Sequence, residues 1–270
     1  MGWGSGTAEY PYLSAPLDAI KSRASRDGTT ITTSTTDNPS SGSSAAAAAS
    51  TAIVFINANS GEEYIKVEGH DADRANLDPW NNGNDLVAAV GNAGKPTIVV
   101  IHSVGPVILE RILASKNVVA IVWAGLPGQE SGNALVDILY GDTAPNGKLP
   151  YTIAKREQDY SVSLAQGNSD SFREGIYIDY RQFDKAGITP RYEFGFGLCK
   201  HCFHLTLAES LSILLILQKR TQRLPTHHPQ QVTVQCGDPA LTKQQTQRPK
   251  HSLKRSSPST QNTAQQSRQQ

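Results

Sequence analysis

Between Ser60 and Trp80 the chain places Glu62, Glu63, Glu68, Asp71, Asp73 and Asp78 beside His70, Arg74, Tyr64 and Trp80. Carboxylates take hydroxyl groups, and aromatic faces cover apolar ring faces. A stretch carrying both suits a polar ring with apolar faces, and a sugar is such a ring. The same residues offer proton donors, provided burial or a like-charged neighbour keeps a carboxylic acid protonated near neutral pH. Asp73 and Arg74 read as an ion pair bracing the stretch, and Glu68 as a buried hydrogen-bond acceptor that orders it.

Such a loop needs a rigid stem. The apolar run at 52–56 reads as a buried strand of a parallel sheet, and a helical pattern starts near Asn82. Loops at the carboxyl ends of such strands are where α/β proteins carry chemistry. Upstream, Leu17, Ile20 and Ala24 predict a helix over 15–26 ending near Gly28. The β-branched run 29–34 predicts a strand, 37–44 a polar turn region, and the alanines 45–49 a helix. Downstream the pattern predicts strands at 97–102 and 118–123. It predicts helices at 107–114, with Pro106 in the first turn and Val107, Ile108 and Ile112 inward, and at 130–139. Asn146-Gly147 marks a turn before a further strand at 149–153. The stretch 161–175 reads as a surface loop and 176–183 as an antiparallel edge strand. The expected fold is α/β: a mostly parallel, doubly wound sheet sandwiched between helices, plus a disordered C-terminal tail.

That tail is a different kind of sequence. Up to Leu198 there are 15 Lys and Arg against 22 Asp and Glu, a net −7, whereas 199–270 carries 10 against 2, a net +8. All three cysteines, Cys199, Cys202 and Cys236, fall in it, so the body has no thiol or disulfide framework. Its Gln, Ser, Thr and Pro content predicts disorder. The apolar stretch 203–217 is suited to one helix or to aggregation. We divide the chain into a domain at 1–198 and a tail at 199–270. No apolar run reaches the length of a membrane span, and the N-terminus carries no secretory signal pattern.

Several segments together carry a resemblance. They are Val54-Phe55-Ile56-Asn57-Ala58-Asn59-Ser60-Gly61-Glu62, Val67-Glu68-Gly69, Asp73-Arg74, Asn76-Leu77-Asp78-Pro79-Trp80, His102-Ser103-Val104-Gly105, Trp123-Ala124-Gly125-Leu126-Pro127-Gly128-Gln129-Glu130, and Thr189-Pro190-Arg191-Tyr192-Glu193-Phe194-Gly195-Phe196-Gly197-Leu198. In this order, across nearly all of 1–198, the chain resembles the second domain of fungal β-glucosidases of glycoside hydrolase family 3. The resemblance implies an α/β sandwich flanked, in the family, by a barrel-like first domain and a fibronectin-like third. It implies retaining hydrolysis of β-glucosides such as cellobiose, outside the cell. An Asp of the barrel would be nucleophile and a loop Glu of the second domain general acid/base. By motif that Glu is Glu62, and Tyr64 matches an aromatic wall beside the leaving sugar. Glu63 stands where the family usually has Gly. The chemistry needs the two carboxyls about 5–5.5 Å apart, one protonating the glycosidic oxygen and the other attacking the anomeric carbon.

Three departures qualify what carries over. Nothing in the chain corresponds to the barrel, so the expected partners are a β-glucoside or cello-oligosaccharide substrate and the missing barrel domain, and the chain alone is expected to be inactive. The strand that would open the second domain is also missing, so one sheet edge is expected to lack a partner. After Leu198 the sequence leaves the family pattern.

Other chemistries are weaker. Ser103 sits at a strand-to-helix turn like a nucleophile elbow, but Ile101 stands where that motif needs Gly. Cys199, Cys202 and their neighbouring histidines form a single C-x-x-C without a second pair, a poor zinc signal. The basic tail lacks any nucleic-acid-binding motif. We therefore expect no cofactor, no metal, no nucleic acid and no membrane. The rival to the enzyme is a non-catalytic α/β module binding a glycan or a partner through the acidic loop.

Overall fold

In the computed structural model, residues 8–61, 74–163 and 171–197 are described. Their centre is a parallel sheet in the order β1 (Ala52–Ala58), β2 (Thr97–Ser103), β3 (Val118–Trp123). Val54 pairs with Val99 and Ile56 with Ile101, and Val100 pairs with Val122 after an irregularity between Thr97 and Ile98. Alternate residues face opposite sides of a strand, so both faces must be covered, and the near-continuous apolar sequences meet that demand.

One face packs on α2 (Pro39–Ala47), α3 (Gly83–Asn92) and α4 (Glu110–Leu113). There Val54, Ile56, Val99 and Ile101 meet Leu86, Val87, Val90 and Ile112. The other face packs on α1 (Pro16–Arg26) and α5 (Ser131–Leu139), where Phe55, Ile98, Val100 and Val122 meet Ile20, Leu135 and Val136. The expected sandwich of helices around a parallel sheet is present.

Local signals explain the helices. α1 opens with Pro16, carries Asp18 in its first turn and Arg23 and Arg26 in its last, and is followed by Gly28 at φ +68°. α5 approaches α1 so closely that a Cβ on Gly132 would lie 2.4 Å from the Ala15 carbonyl oxygen, while the Gly132 amide donates to the Ser14 oxygen at 2.7 Å. Only glycine fits there.

Five expectations need correction. The run 29–34 is not a strand: it has no ladder partner among the described residues, and only Ile31 packs, against the buried cluster of Ala19, Ile20 and Val136. Part of the expected turn at 37–44 is helix, because Asn38 caps the Ser41 amide at 3.0 Å and Pro39 occupies the first turn. The helix expected over 107–114 is reduced to α4. Val107 and Leu109 are both buried with Ile108 between them, an extended alternation, and the Ile108 amide is taken by the Leu77 oxygen at 2.9 Å. The strand at 149–153 is reduced to one antiparallel bridge, Ile153 to Tyr192, because Pro150 has no amide to give. The edge strand at 176–183 is instead a turn followed by α6 (Tyr180–Ala186), with Phe183 inward. The tail, 199–270, lies outside the described residues.

Candidate active-site crevice at the carboxyl ends of the strands

Parallel strands end on one side, and there β1 gives way to Ser60 and Gly61 while the chain comes back at Arg74. Glu62, Tyr64, Glu68 and Asp73 lie outside the described residues. Arg74 does not, and its surroundings define the rim from which the acidic loop departs.

The returning stem is tied to its neighbours residue by residue. The Arg74 Nη1 donates to the Pro106 oxygen at 2.9 Å. Asn76 Oδ1 accepts from the Asp78 amide at 3.0 Å, a local turn, and Asp78 Oδ1 accepts from Asn84 Nδ2 at 3.1 Å. The Trp80 amide donates to the Asn57 oxygen at 2.8 Å, which ties the stem to β1, and the Trp80 ring is buried in the core. Trp80 is a packing residue. Asn81 and Asn82 then take positive φ, which asparagine tolerates, to turn sharply into α3.

Arg74 itself is half-buried. Its Nε and Nη2 are buried and have no hydrogen-bond partner among the described residues. Burial lowers its pKa, opposed by the nearby Tyr151, Tyr160, Glu157 and Asp78. A buried donor left unpaired costs about 1–3 kcal/mol, more for a charged group, so the position favours an incoming acceptor.

Two phenols flank it. Tyr151 accepts from Trp123 Nε1 at 2.8 Å across an edge-on ring contact, and burial raises its pKa. Tyr160 donates to the Thr152 oxygen at 2.8 Å and accepts from the Ala154 amide at 3.1 Å, and burial pushes it up to about 12. Both stay neutral at pH 7. The rim therefore carries one cation, two fixed phenols and an indole, a setting that can orient carboxylates on an adjoining loop.

His102 and Ser103 are not brought together. Successive strand residues face opposite sides, so His102 stacks on Phe55, with ring centroids 6.3 Å apart, while the buried Ser103 hydroxyl bonds within its own turn to the Gly105 oxygen. Burial lowers the His102 pKa. This is no nucleophile–base pair. Among the described residues no group of three or more His, Cys, Asp or Glu is placed to hold a metal, and no helix is long and apolar enough to cross a membrane. Sequence reasoning missed Trp123, Tyr151 and Tyr160 as rim residues. No spacing links them, because they converge only through the fold.

The comparisons with known proteins agree with this geometry. The model of the glycosyl hydrolase family 3 C-terminal domain matches residues 1–198. A protein named "Probable beta-glucosidase L" of Neosartorya fischeri is 70% identical over 198 residues, which are 73% of this chain and 27% of that protein. "Beta-glucosidase cel3A" of Pyricularia oryzae is 58% identical over the same shares. The solved β-D-glucoside glucohydrolase of Trichoderma reesei superposes with a TM-score of 0.72 at 60% identity, covering 77% of this chain and 30% of that one. The chain thus spans less than a third of the length of these relatives. It belongs to glycosyl hydrolase family 3, of which residues 1–198 are a C-terminal-type α/β domain.

Proposed function

We propose that this chain contributes the general acid/base of a retaining β-glucosidase, with Glu62 as the group that protonates the glycosidic oxygen. The observation that carries the reading is the placement of both ends of the 62–73 loop at the carboxyl-end rim, in a chain of this family. Tyr64 would wall the site of the leaving sugar. Glu68 and Asp73 would brace the loop, and the Nε and Nη2 of Arg74, buried and without a partner among the described residues, supply the donors such acceptors need. The substrates are terminal β-glucosides, cellobiose among them, met outside the cell. The attacking carboxylate would come from a barrel-like domain such as the family has, and residues 1–270 by themselves would be inactive: one carboxyl cannot run both steps. The domain boundary falls at 198, and 199–270 takes no part.

A chimera tests this. Residues 1–198 replace the matching segment of the Trichoderma reesei enzyme, and release of nitrophenol from the aryl β-glucoside is followed. Activity is expected, and Glu62→Gln lowers it roughly 10²–10⁴-fold. The loss is smaller with a dinitrophenyl glucoside, whose leaving group needs no proton. Equal rates with and without Glu62→Gln on both substrates would remove Glu62 from the role.

A further inference from the structure

Asparagine followed by glycine is a chemically labile pair, because glycine, having no Cβ, leaves its amide nitrogen open to the asparagine side chain. The chain has two such pairs, Asn82-Gly83 and Asn146-Gly147. The fold treats them in opposite ways. At Asn82-Gly83 the main chain is locked. The Gly83 amide donates to the Trp80 oxygen at 2.9 Å, and the Asn82 main-chain oxygen accepts from the Asp85 and Leu86 amides, both at 2.9 Å, as α3 begins. Gly83 is buried, and a Cβ there would lie 2.7 Å from Pro79. Attack on the Asn82 side chain would need the Gly83 nitrogen freed and the backbone turned, and both require the first turn of α3 to open.

Asn146-Gly147 carries none of these restraints. Both residues are exposed, in irregular chain after α5. Among the described residues the Gly147 amide has no acceptor and the Asn146 side chain makes no hydrogen bond. A Cβ on Gly147 would meet nothing within 4 Å, so the approach to its nitrogen is open. Immediately beyond, the chain tightens into a clasp. Lys148 Nζ donates to the Gly197 oxygen at 2.8 Å, the Leu149 amide donates to the Phe196 oxygen at 2.8 Å, and the Leu149 oxygen accepts from the Gly195 amide at 2.9 Å. The backbones approach so closely that a Cβ on Gly197 would lie 2.7 Å from the Gly147 oxygen.

We propose that Asn146 is a site of self-modification, where the side chain closes on the Gly147 amide and opens again as an acid, loosening the clasp on 195–197. The Gly147 nitrogen attacks the Asn146 Cγ. The N–Cγ bond forms, the Cγ–Nδ2 bond breaks, and the proton of the Gly147 nitrogen passes through water to the departing nitrogen, which leaves as ammonia. Water then adds to one or the other carbonyl of the cyclic imide and opens it, leaving aspartate or isoaspartate. The step consumes only water. Isoaspartate routes the main chain through the side-chain carbon, which lengthens it just before Gly147 and shifts Lys148 and Leu149 against Gly195, Phe196 and Gly197. This reading stands apart from the glucosidase reading, since it uses no residue of the crevice.

The test ages the full chain in mildly alkaline buffer and maps it peptide by peptide in the mass spectrometer, with a protein isoaspartate methyltransferase as a second probe of the product. In the folded chain Asn146 is expected to lose its amide roughly tenfold or more faster than Asn82, and in urea the two react alike, because the fold no longer protects either. Gly147→Ala, for which there is space, is expected to slow the loss at 146 roughly tenfold or more. Amide exchange at Leu149 and Gly195 is expected to quicken in the aged chain and to stay unchanged in the aged Gly147→Ala chain. An Asn146 amide retained in the folded chain, or lost no faster than that of Asn82, overturns the site. Loss at 146 with unchanged exchange at Leu149 and Gly195 overturns the loosening of the clasp.

Discussion

The two ends of the sheet are made by the same three strands and treat their polar groups in opposite ways. At the amino end every donor of note is spent. The Ala52 amide goes to the Pro96 oxygen, the Thr97 amide to Asn117, the Thr97 hydroxyl to Lys95, and Asn117 Nδ2 to the Gly91 oxygen at 2.7 Å, closing the last turn of α3. At the carboxyl end Arg74 keeps two buried nitrogens without a partner among the described residues, and Tyr151 and Tyr160 stand half-buried beside it. One end is built for stability, and the other keeps binding capacity in reserve at a cost in stability.

Substitutions along the strands should expose that gradient. The largest effect is expected midway, where Ile101 is fully buried: Ile101→Ala costs about 3–4 kcal/mol in urea unfolding, the usual range for a truncated core aliphatic. At the amino end Asn117→Ala removes one of the hydrogen bonds to the Gly91 oxygen, which keeps that of the Gly94 amide at 3.1 Å, and costs about 0.5–1.5 kcal/mol by the same measurement. At the carboxyl end Arg74→Met removes a half-buried cation whose hydrogen bond among the described residues goes to the Pro106 oxygen, and fills its space, so stability falls by no more than about 1 kcal/mol or rises. In the chimera the same substitution lowers glucoside hydrolysis. An Arg74→Met chain less stable than the Asn117→Ala chain would break the contrast between the two ends.

The smallest effect lies in pH. Burial depresses the His102 pKa below its usual 6.5, so the unfolded chain takes up a proton first as pH falls. The stability from this group is complete above 6.5 and is lost as pH drops from there toward the lowered folded value. His102→Gln should flatten that part of the stability profile. A slope unchanged by the substitution would place its origin in another group, and not in Asp142, whose carboxyl the Arg23 guanidinium holds below its usual 3.8 so that it titrates at lower pH.

The strands were legible because their demand is local. A strand buried on both faces must be apolar throughout, and 52–56, 97–102 and 118–123 have no other reading. The run 29–34 is as β-branched as any of them but has no ladder partner among the described residues, and strand propensity without a ladder is not a strand. In 107–109 the helical reading fails because the Ile108 amide is drawn to Leu77, a residue on the far side of the acidic loop. The candidate site divides the same way. Glu62, Tyr64, Glu68 and Asp73 are assigned by motif alone, whereas the setting of Arg74 came from residues that no motif joins.

The sequence by itself determined the three parallel strands, the helix that begins at Pro16 and stops before Gly28, and the family, because each depends on residues close together in the chain or on their order along it. Only the tertiary structure decided that Trp123, Tyr151 and Tyr160 close around Arg74. Those contacts join residues tens of positions apart, and hydrogen bonding and burial at such range leave no periodicity to read.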